Sequence, residues 1–324
     1  MAKPLVSIAM LSYNHEKFIA QSLESVLMQL TNFSFEIIIG EDCSTDSTRL
    51  IIQKYENIFP AIIKPIYHKS NVGFMKNWIE YVLPACSGEY IALLESDDYW
   101  LDPNKLQKQV DFLTSNMGFS ICGHWTKNVD SEDHLLEKPI FSGENCPRIF
   151  SIKDAYKGTA LHTSSWLFRA TCLNELKNNI KVYSTLPHGD DPLLLLALKG
   201  GKGFCFEEYM GVYRIHSGGA WTSEGMVNRG INMLKYYYSI PLLIDSYDHK
   251  VLRSTIRHGK NSLAWAARST SDISILKSSI INLWHNPFIP KYAVGDVIIR
   301  TLVMKLIGKR VLRKIKRILE LSNV

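Results

Sequence analysis

The sequence predicts an α/β fold, a mostly parallel central sheet with helices on both faces, continued by an all-helical C-terminal region. Three observations carry this reading. Apolar runs alternate with amphipathic stretches through the first hundred residues. The runs are apolar throughout rather than at every second position, as in strands buried on both faces. From Glu224 onward the strand signal disappears.

The elements follow in order. Val6 to Leu11 reads as a strand and ends at Ser12-Tyr13-Asn14-His15. Phe18, Ile19, Leu23, Val26 and Leu27 then share one face of a helix. Phe35 to Ile39 is a second strand, ending at Glu41-Asp42, and a helix follows from about Asp46 with Leu50, Ile51, Tyr55 and Ile58 as its stripe. Ala61 to Tyr67 is a third strand, and Phe74, Trp78, Ile79 and Val82 mark the next helix. Glu89 to Leu94 is a fourth strand, stopping at Glu95-Ser96-Asp97-Asp98. Asp102-Pro103 then reads as the N-cap and first residue of a helix. Past Gly118 the pattern loosens into short strands at Phe119–Cys122, Ser164–Phe168 and Gly211–Tyr213, with a helix starting at Asp191-Pro192. Met226–Ile244, Val251–Ala267, Ile273–Leu283 and Val297–Leu321 all read as helical.

At roughly 150 residues per domain, 324 residues suggest two, here 1–222 and 223–324. The formal charge of +6 is unevenly placed. Residues 300–324 hold eight basic side chains against Glu320 alone, which leaves 29 basic and 30 acidic residues before them. A neutral body argues against a nucleic-acid partner, which calls for a basic face on the folded domain. No apolar run approaches the ~18–20 residues that span a bilayer. The first residues pass into a strand pattern without the apolar core of a secretory leader. Six cysteines lie 24 or more positions apart, which fits a reducing cytoplasm better than a zinc site or a disulfide framework.

Chemistry concentrates where the apolar strands stop, the edge at which open α/β sheets bind ligands. Asp97-Asp98 follows a buried strand, and carboxylates this close repel unless a cation sits between them. Mg²⁺ or Mn²⁺ takes such oxygen ligands together with phosphate oxygens. Glu41-Asp42 stands where a carboxylate can accept hydrogen bonds from a base or a sugar, while Ser44, Thr45 and Asp46 suit helix capping. Asp191, in Gly189-Asp190-Asp191-Pro192, reads either as a helix cap or as a general base, and the two roles are compatible. Arg214 and His216 alternate along a strand, so they share a face, where a cation and an imidazole could grip a diphosphate or complete a metal's coordination. The chain contains neither G-x-G-x-x-G nor G-x-S-x-G, and Gly200-Gly201-Lys202-Gly203 lacks the spacing of a P-loop.

Taken in order, these segments resemble the family 2 glycosyltransferases, inverting enzymes with the GT-A fold, over residues 4 to about 220. Leu11, Ser12 and Tyr13 fall on the family's first nucleotide loop, and Glu41-Asp42-x-Ser44-x-Asp46 is similar to its D-D-x-S-x-D signature, with Asp42 on the base contact. Asn71-x-Gly73 is similar to a short N-x-G segment near the nucleotide, and Ser96-Asp97-Asp98 to the D-x-D-type motif. The resemblance puts Asp97 on the ribose and Asp98 on the metal. Gly189-Asp190-Asp191 matches the family's E-D pair, whose second residue is the catalytic base, with Asp190 among the donor contacts. Tyr213-Arg214-x-His216 matches a Y-R-x-H segment at the diphosphate, with His216 available to the metal. Glu41, Glu95 and Asp190 depart from the usual residues, and all three keep a carboxylate.

The resemblance implies a nucleotide-sugar donor, Mn²⁺ or Mg²⁺ as cofactor, and attack by an acceptor hydroxyl that Asp191 deprotonates. A glycan or lipid-linked acceptor and a place in surface polysaccharide synthesis accompany it. Independently, Leu302, Val303, Leu306, Ile307, Val311, Ile315, Ile318 and Leu319 recur at helical spacing among basic residues. Residues 297–321 therefore read as a basic amphipathic helix suited to an anionic membrane surface, placing the protein peripherally on the cytoplasmic face. Two alternatives stand beside this. A sugar-phosphate nucleotidyltransferase would need a glycine-rich loop after the first strand, and Ser12-Tyr13-Asn14-His15-Glu16 has no glycine. A catalytically inactive, membrane-docked binding protein predicts damaged acidic positions, whereas Asp42, Asp97, Asp98 and Asp191 are all present.

Overall fold

A computed structural model describes residues 3–137, 139–143, 146–158, 161–178, 180–183, 186, 188–219, 224–244, 247–269, 281, 283–285 and 289–306. The chain divides into two compact units, Met1–Gly219 and Ala220–Val324. Most of the helix expected at Ile273–Leu283, and the part of the basic helix beyond residue 306, lie outside the described residues.

The first unit is built on a nine-stranded sheet ordered β3-β2-β1-β4-β8-β6-β9-β5, with β7 also on β9. Its strands are β1 (Val6–Ser12), β2 (Phe35–Glu41), β3 (Ile63–Tyr67), β4 (Tyr90–Leu93), β5 (Tyr99–Trp100), β6 (Phe119–Val129), β7 (Ile149–Phe150), β8 (Leu167–Arg169) and β9 (Lys202–Arg214). β1 lies parallel to β2 and β4, β2 to β3, and β6 to β9. β8 runs antiparallel to both β4 and β6, which leaves β6 and β9 pointing the same way as the first four strands. The sheet is therefore mixed, because β8, β5 and β7 run against the rest. Six strands nevertheless deliver their C-terminal ends to one edge.

Side chains of alternate residues explain the two covered faces. Val6, Ile8 and Met10 join Ile37, Ile39 and Ala92 against α1 (Ile19–Leu27) and α5 (Lys105–Ser115), whose Leu23, Val26, Leu106, Val110 and Leu113 close that core. On the other face a helical stretch crosses β2. It comprises α3 (Phe74–Lys76), a wider π-helical turn (Asn77–Val82) and α4 (Leu83–Ala85). Its Asn77 donates to Gly40 O and meets His68 Nε2 through its side-chain oxygen. Only glycine fits at position 40, since a Cβ there would collide with Asn77 and Val82. α2 (Thr48–Ile58) follows β2 as expected, with Asp46 accepting from Thr48 N at 2.9 Å.

Several local expectations give way. The helix after Asp102-Pro103 starts at Lys105, because Asp102 accepts from Asn104 N at 2.8 Å and Pro103 O is taken by Leu30 N. Asp102 therefore closes a turn before the helix rather than capping it. Ser164 is not in a strand: Thr163–Ser165 form a 3₁₀ turn, and β8 begins only at Leu167. β6 and β9 are far longer than their apolar cores suggested, since they pair with each other over most of their length. The remaining helices of this unit are α6 (Ile152–Gly158), α7 (Cys172–Asn178), α8 (Ile180–Tyr183) and α9 (Asp190–Lys199). α9 is capped by Gly189, so Asp191 sits inside its first turn rather than at the cap.

The second unit includes α10 (Met226–Leu243), α11 (His249–Ser269) and α12 (Lys291–Leu306). Val227, Ile231 and Leu234 of α10, Leu263 and Ala266 of α11, and Ala293, Val294 and Val297 of α12 form its core. No helix among the described residues is long and apolar enough to cross a membrane.

Candidate functional site

The loops leaving β1 and β2 are laced together at the polar edge. Asn14, at φ 56°, donates its N–H to Ser44 Oγ at 3.0 Å and accepts from Thr45 N at 2.8 Å. Asn is one of the few residues that tolerates this left-handed geometry. His15 N donates to Thr48 Oγ1 at 2.8 Å, and its Nδ1 lies 2.6 Å from Ser96 Oγ. Leu11 and Ser12 are buried, and Ser12 Oγ has no partner among the described residues. Tyr13 stands out into solvent with 42% of its surface exposed.

Asp42 is buried at the end of β2, and its two oxygens accept from Val72 N at 2.7 Å and Gly73 N at 2.9 Å. The N-x-G segment is thus folded around this carboxylate, with Gly73 at φ 85° and Asn71 exposed beside it.

The Glu95–Asp98 turn separates its carboxylates. Asp97 Oδ2 lies 3.0 Å from His216 Nε2 and 3.9 Å from His15 Nε2. One ligand atom from each of His15, Asp97 and His216 falls within 4.8 Å of the other two. Asp98 turns inward, 2% exposed, where Oδ1 accepts from Arg214 N at 2.9 Å and Oδ2 from Ser164 Oγ at 2.5 Å. His162 Nδ1 stands 3.6 Å from the same Oδ2.

Burial would raise the Asp97 carboxyl, but the His216 hydrogen bond and the charges of both imidazoles hold it below its ordinary value. Burial, and then the charge of Asp97, push Asp98 well above. Burial and the charges of Asp97, Asp98 and Asp190 likewise keep Glu95 protonated far beyond the usual carboxylate range. Burial lowers His162 to about 4, so it is neutral.

Arg214 is 3% exposed and fully engaged. It donates from Nε to Asp97 O, from one terminal nitrogen to Asp130 O, and from the other to Gln21 Oε1 at 2.7 Å. That last nitrogen also pairs with Asp133 at 2.9 Å, while the guanidinium lies over the Phe18 and Tyr99 rings. A diphosphate would have to displace one of these partners to reach it.

Asp190 and Asp191 begin α9. Thr163 Oγ1 donates to Asp190 Oδ2 at 3.4 Å. Half-buried Asp191 is raised to about 8, first by burial and then by the charge of Asp190. Close packing on Trp78 requires glycine at 189, the residue that caps this helix.

The structure thus brings Asp97, Asp98, Arg214 and His216 into one cluster, with Asp190 tied to it through the 3₁₀ turn. It gathers Ser12, Asp42 and Asn71 at the neighbouring strand ends, where Asp42 N donates to Ser12 O at 3.0 Å. Asp97 rather than Asp98 is the carboxylate beside His216. Sequence reasoning missed His15, although it directly follows the first polar cluster, and it missed Ser164 and His162, which carried no motif signal.

Known proteins resemble this chain in family and in fold. A family model described as Glycosyl transferase family 2 matches residues 7–177. A protein of Mycobacterium tuberculosis, described as uncharacterized, is 33% identical over 219 residues, 67% of this chain and 61% of that relative. The chain thus spans about 61% of the length of the first curated relatives it matches. An Escherichia coli relative, the UDP-Glc:alpha-D-GlcNAc-diphosphoundecaprenol beta-1,3-glucosyltransferase WfgD, is 36% identical over 112 residues, 35% of this chain and 42% of that one. Among solved structures, residues 1–349 of S. aureus TarS in complex with UDP-GlcNAc superpose with a TM-score of 0.64 at 18% identity, covering 93% of this chain and 90% of that one.

Proposed function

Because the chain belongs to glycosyl transferase family 2 and has the GT-A fold, we propose that it moves a sugar from a nucleoside-diphosphate donor, a UDP-sugar, to an acceptor hydroxyl with inversion at the anomeric carbon. The observation that carries this reading is the convergence of His15, Asp97 and His216 at the edge to which six strands run.

Two imidazoles and a carboxylate suit Mn²⁺ better than Mg²⁺, which favours an all-oxygen set. In this proposal Asp97, His216 and His15 hold the cation, Asp97 taking the place that the motif alone assigned to Asp98. When bound, the cation supplies electrostatic stabilisation to the charge that develops on the departing nucleoside diphosphate. Leu11, Ser12 and exposed Tyr13 line one side of the nucleotide, and Asp42 with the Asn71–Gly73 turn receives its base. Arg214 shapes the diphosphate end by holding the Asp97 carbonyl.

Asp191 takes the proton from the acceptor hydroxyl as the oxygen bonds to the anomeric carbon. The bond to the diphosphate breaks on the opposite face, and its electron pair leaves with the nucleotide. A carboxyl raised to about 8 is a stronger base once ionised than an ordinary carboxylate.

The acceptor is a glycan on a lipid carrier in surface polysaccharide synthesis, at the cytoplasmic face of the membrane. The name of WfgD supports that class of acceptor, and the basic pattern of residues 297–321 supports the location. The test is calorimetric titration with UDP, GDP, CDP and dTDP, with and without Mn²⁺. Metal-dependent binding of UDP, lost in Asp97→Ala and in His216→Ala, is the expected result. A folded protein that binds none of the four overturns the proposal and leaves a transferase-derived binding protein.

A further inference from the structure

We propose that Ser164 is a positioning residue that sets the geometry of the cation site without touching the cation. The inference rests on the metal reading given above and deepens it. All the polar groups of Ser164 are engaged. Its N–H donates to His162 Nδ1 at 3.3 Å, and its carbonyl accepts from Trp100 Nε1 at 2.8 Å. Its hydroxyl donates to Asp98 Oδ2 at 2.5 Å and accepts from Glu95 N at 3.3 Å. One buried hydroxyl therefore grips both ends of the Glu95–Asp98 turn.

The turn is held on its other side as well. Asp98 Oδ1 accepts from Arg214 N, and the Arg214 side chain donates to Asp97 O. Ser164, Asp98 and the Arg214 backbone thus form a strut from the 3₁₀ turn to the end of β9. The residue before Asp98 is Asp97, and two residues after Arg214 is His216, with 3.0 Å between the carboxylate and the imidazole. Any loosening of the strut changes that spacing directly. Neighbouring Thr163 and Ser165 give the turn its own anchors, Thr163 on Asp190 and Ser165 between His162 O and Gln109 Nε2. The turn therefore stays in place when the Ser164 hydroxyl alone is removed.

Partners that hold a metal ligand in place typically change metal affinity roughly 10–100-fold when mutated. Ser164→Ala leaves Asp98 Oδ2 and Glu95 N buried without a partner, so Mn²⁺ binding in the presence of UDP, followed by electron paramagnetic resonance of free Mn²⁺, should weaken about tenfold. Ser164→Thr keeps the hydroxyl and should stay within about twofold of the wild type. Ser164→Cys fills the same space with a weak donor, and should weaken binding even if the alanine variant does not fold. A purely structural serine would lower the melting temperature and leave the Mn²⁺ affinity unchanged, and that result overturns the inference. If the wild type itself binds no Mn²⁺ in the presence of UDP, the metal reading fails instead, which is a separate outcome.

Discussion

The Asp97-Asp98 pair in the turn between β4 and β5 and the Asp190-Asp191 pair at the start of α9 are the same dipeptide in two settings. In the first, partners from other strands divide the two carboxylates. His216 holds Asp97 below its ordinary value, while Asp98 is turned inward, and burial overrides its two hydrogen bonds. In the second, burial and the neighbouring carboxylate alone set Asp191 among the described residues. The N-terminus of α9 favours ionised carboxylates, yet burial and mutual repulsion still raise Asp191 to about 8. Adjacent acids are thus set apart, Asp97 lowered and Asp98 and Asp191 raised, by what faces them, and the proposed function casts the first as a cation ligand and Asp191 as a proton acceptor.

The sharpest way to break this contrast is to neutralise Asp191. Asp191→Asn should reduce transfer by about 10²–10⁴, the range for loss of a general base. UDP binding should stay within about twofold, because the proposed base would act on the acceptor and not on the nucleotide. A comparable loss of UDP binding would reduce Asp191 to a structural role.

A smaller effect lies in the pH profile. As the proposed base, Asp191 would work only when ionised, so kcat/KM should fall as pH drops below about 8. The charge of Asp190 is the second cause of that shift, and Asp190→Asn should move the limb to lower pH. An unmoved limb would assign it to another group.

The smallest effect is on stability. Asp191 keeps its proton in the folded protein up to about 8, whereas an unfolded chain releases it near the ordinary value of about 3.9. The folded state binds more protons across that window, so this group makes stability fall as pH rises from about 4 to about 8. Asp191→Asn should flatten the decline in melting temperature relative to the wild type. Parallel curves for the two proteins would mean that Asp191 titrates normally.

Much of the fold was legible because β1, β2 and β4 are buried on both faces and polar residues follow each of them. Those features follow from local composition, and they placed Ser12, Asp42 and Asp97 at or just beyond the C-terminal ends of β1, β2 and β4. The antiparallel insertion of β8 was not legible, since strand direction depends on a long connection rather than on the three residues of Leu167–Arg169. The start of α5 was misplaced for a similar reason. Asp102-Pro103 has the chemistry of a cap, but Pro103 O is claimed by Leu30, a residue about seventy positions away.

The role of Arg214 shows the same limit. Its position in the Y-R-x-H segment suggested a cation that could grip a diphosphate, but Gln21 from one distant stretch and Asp130 and Asp133 from another occupy it. By itself the order of residues determined which side chains could do chemistry and at which edge they would gather, because burial pattern and strand ends are local properties. Only the tertiary structure decided that Asp97 faces His216 and His15 while Asp98 faces Ser164 and Arg214. Successive residues in a turn point in different directions, and what lies in each direction is supplied by parts of the chain far away in sequence.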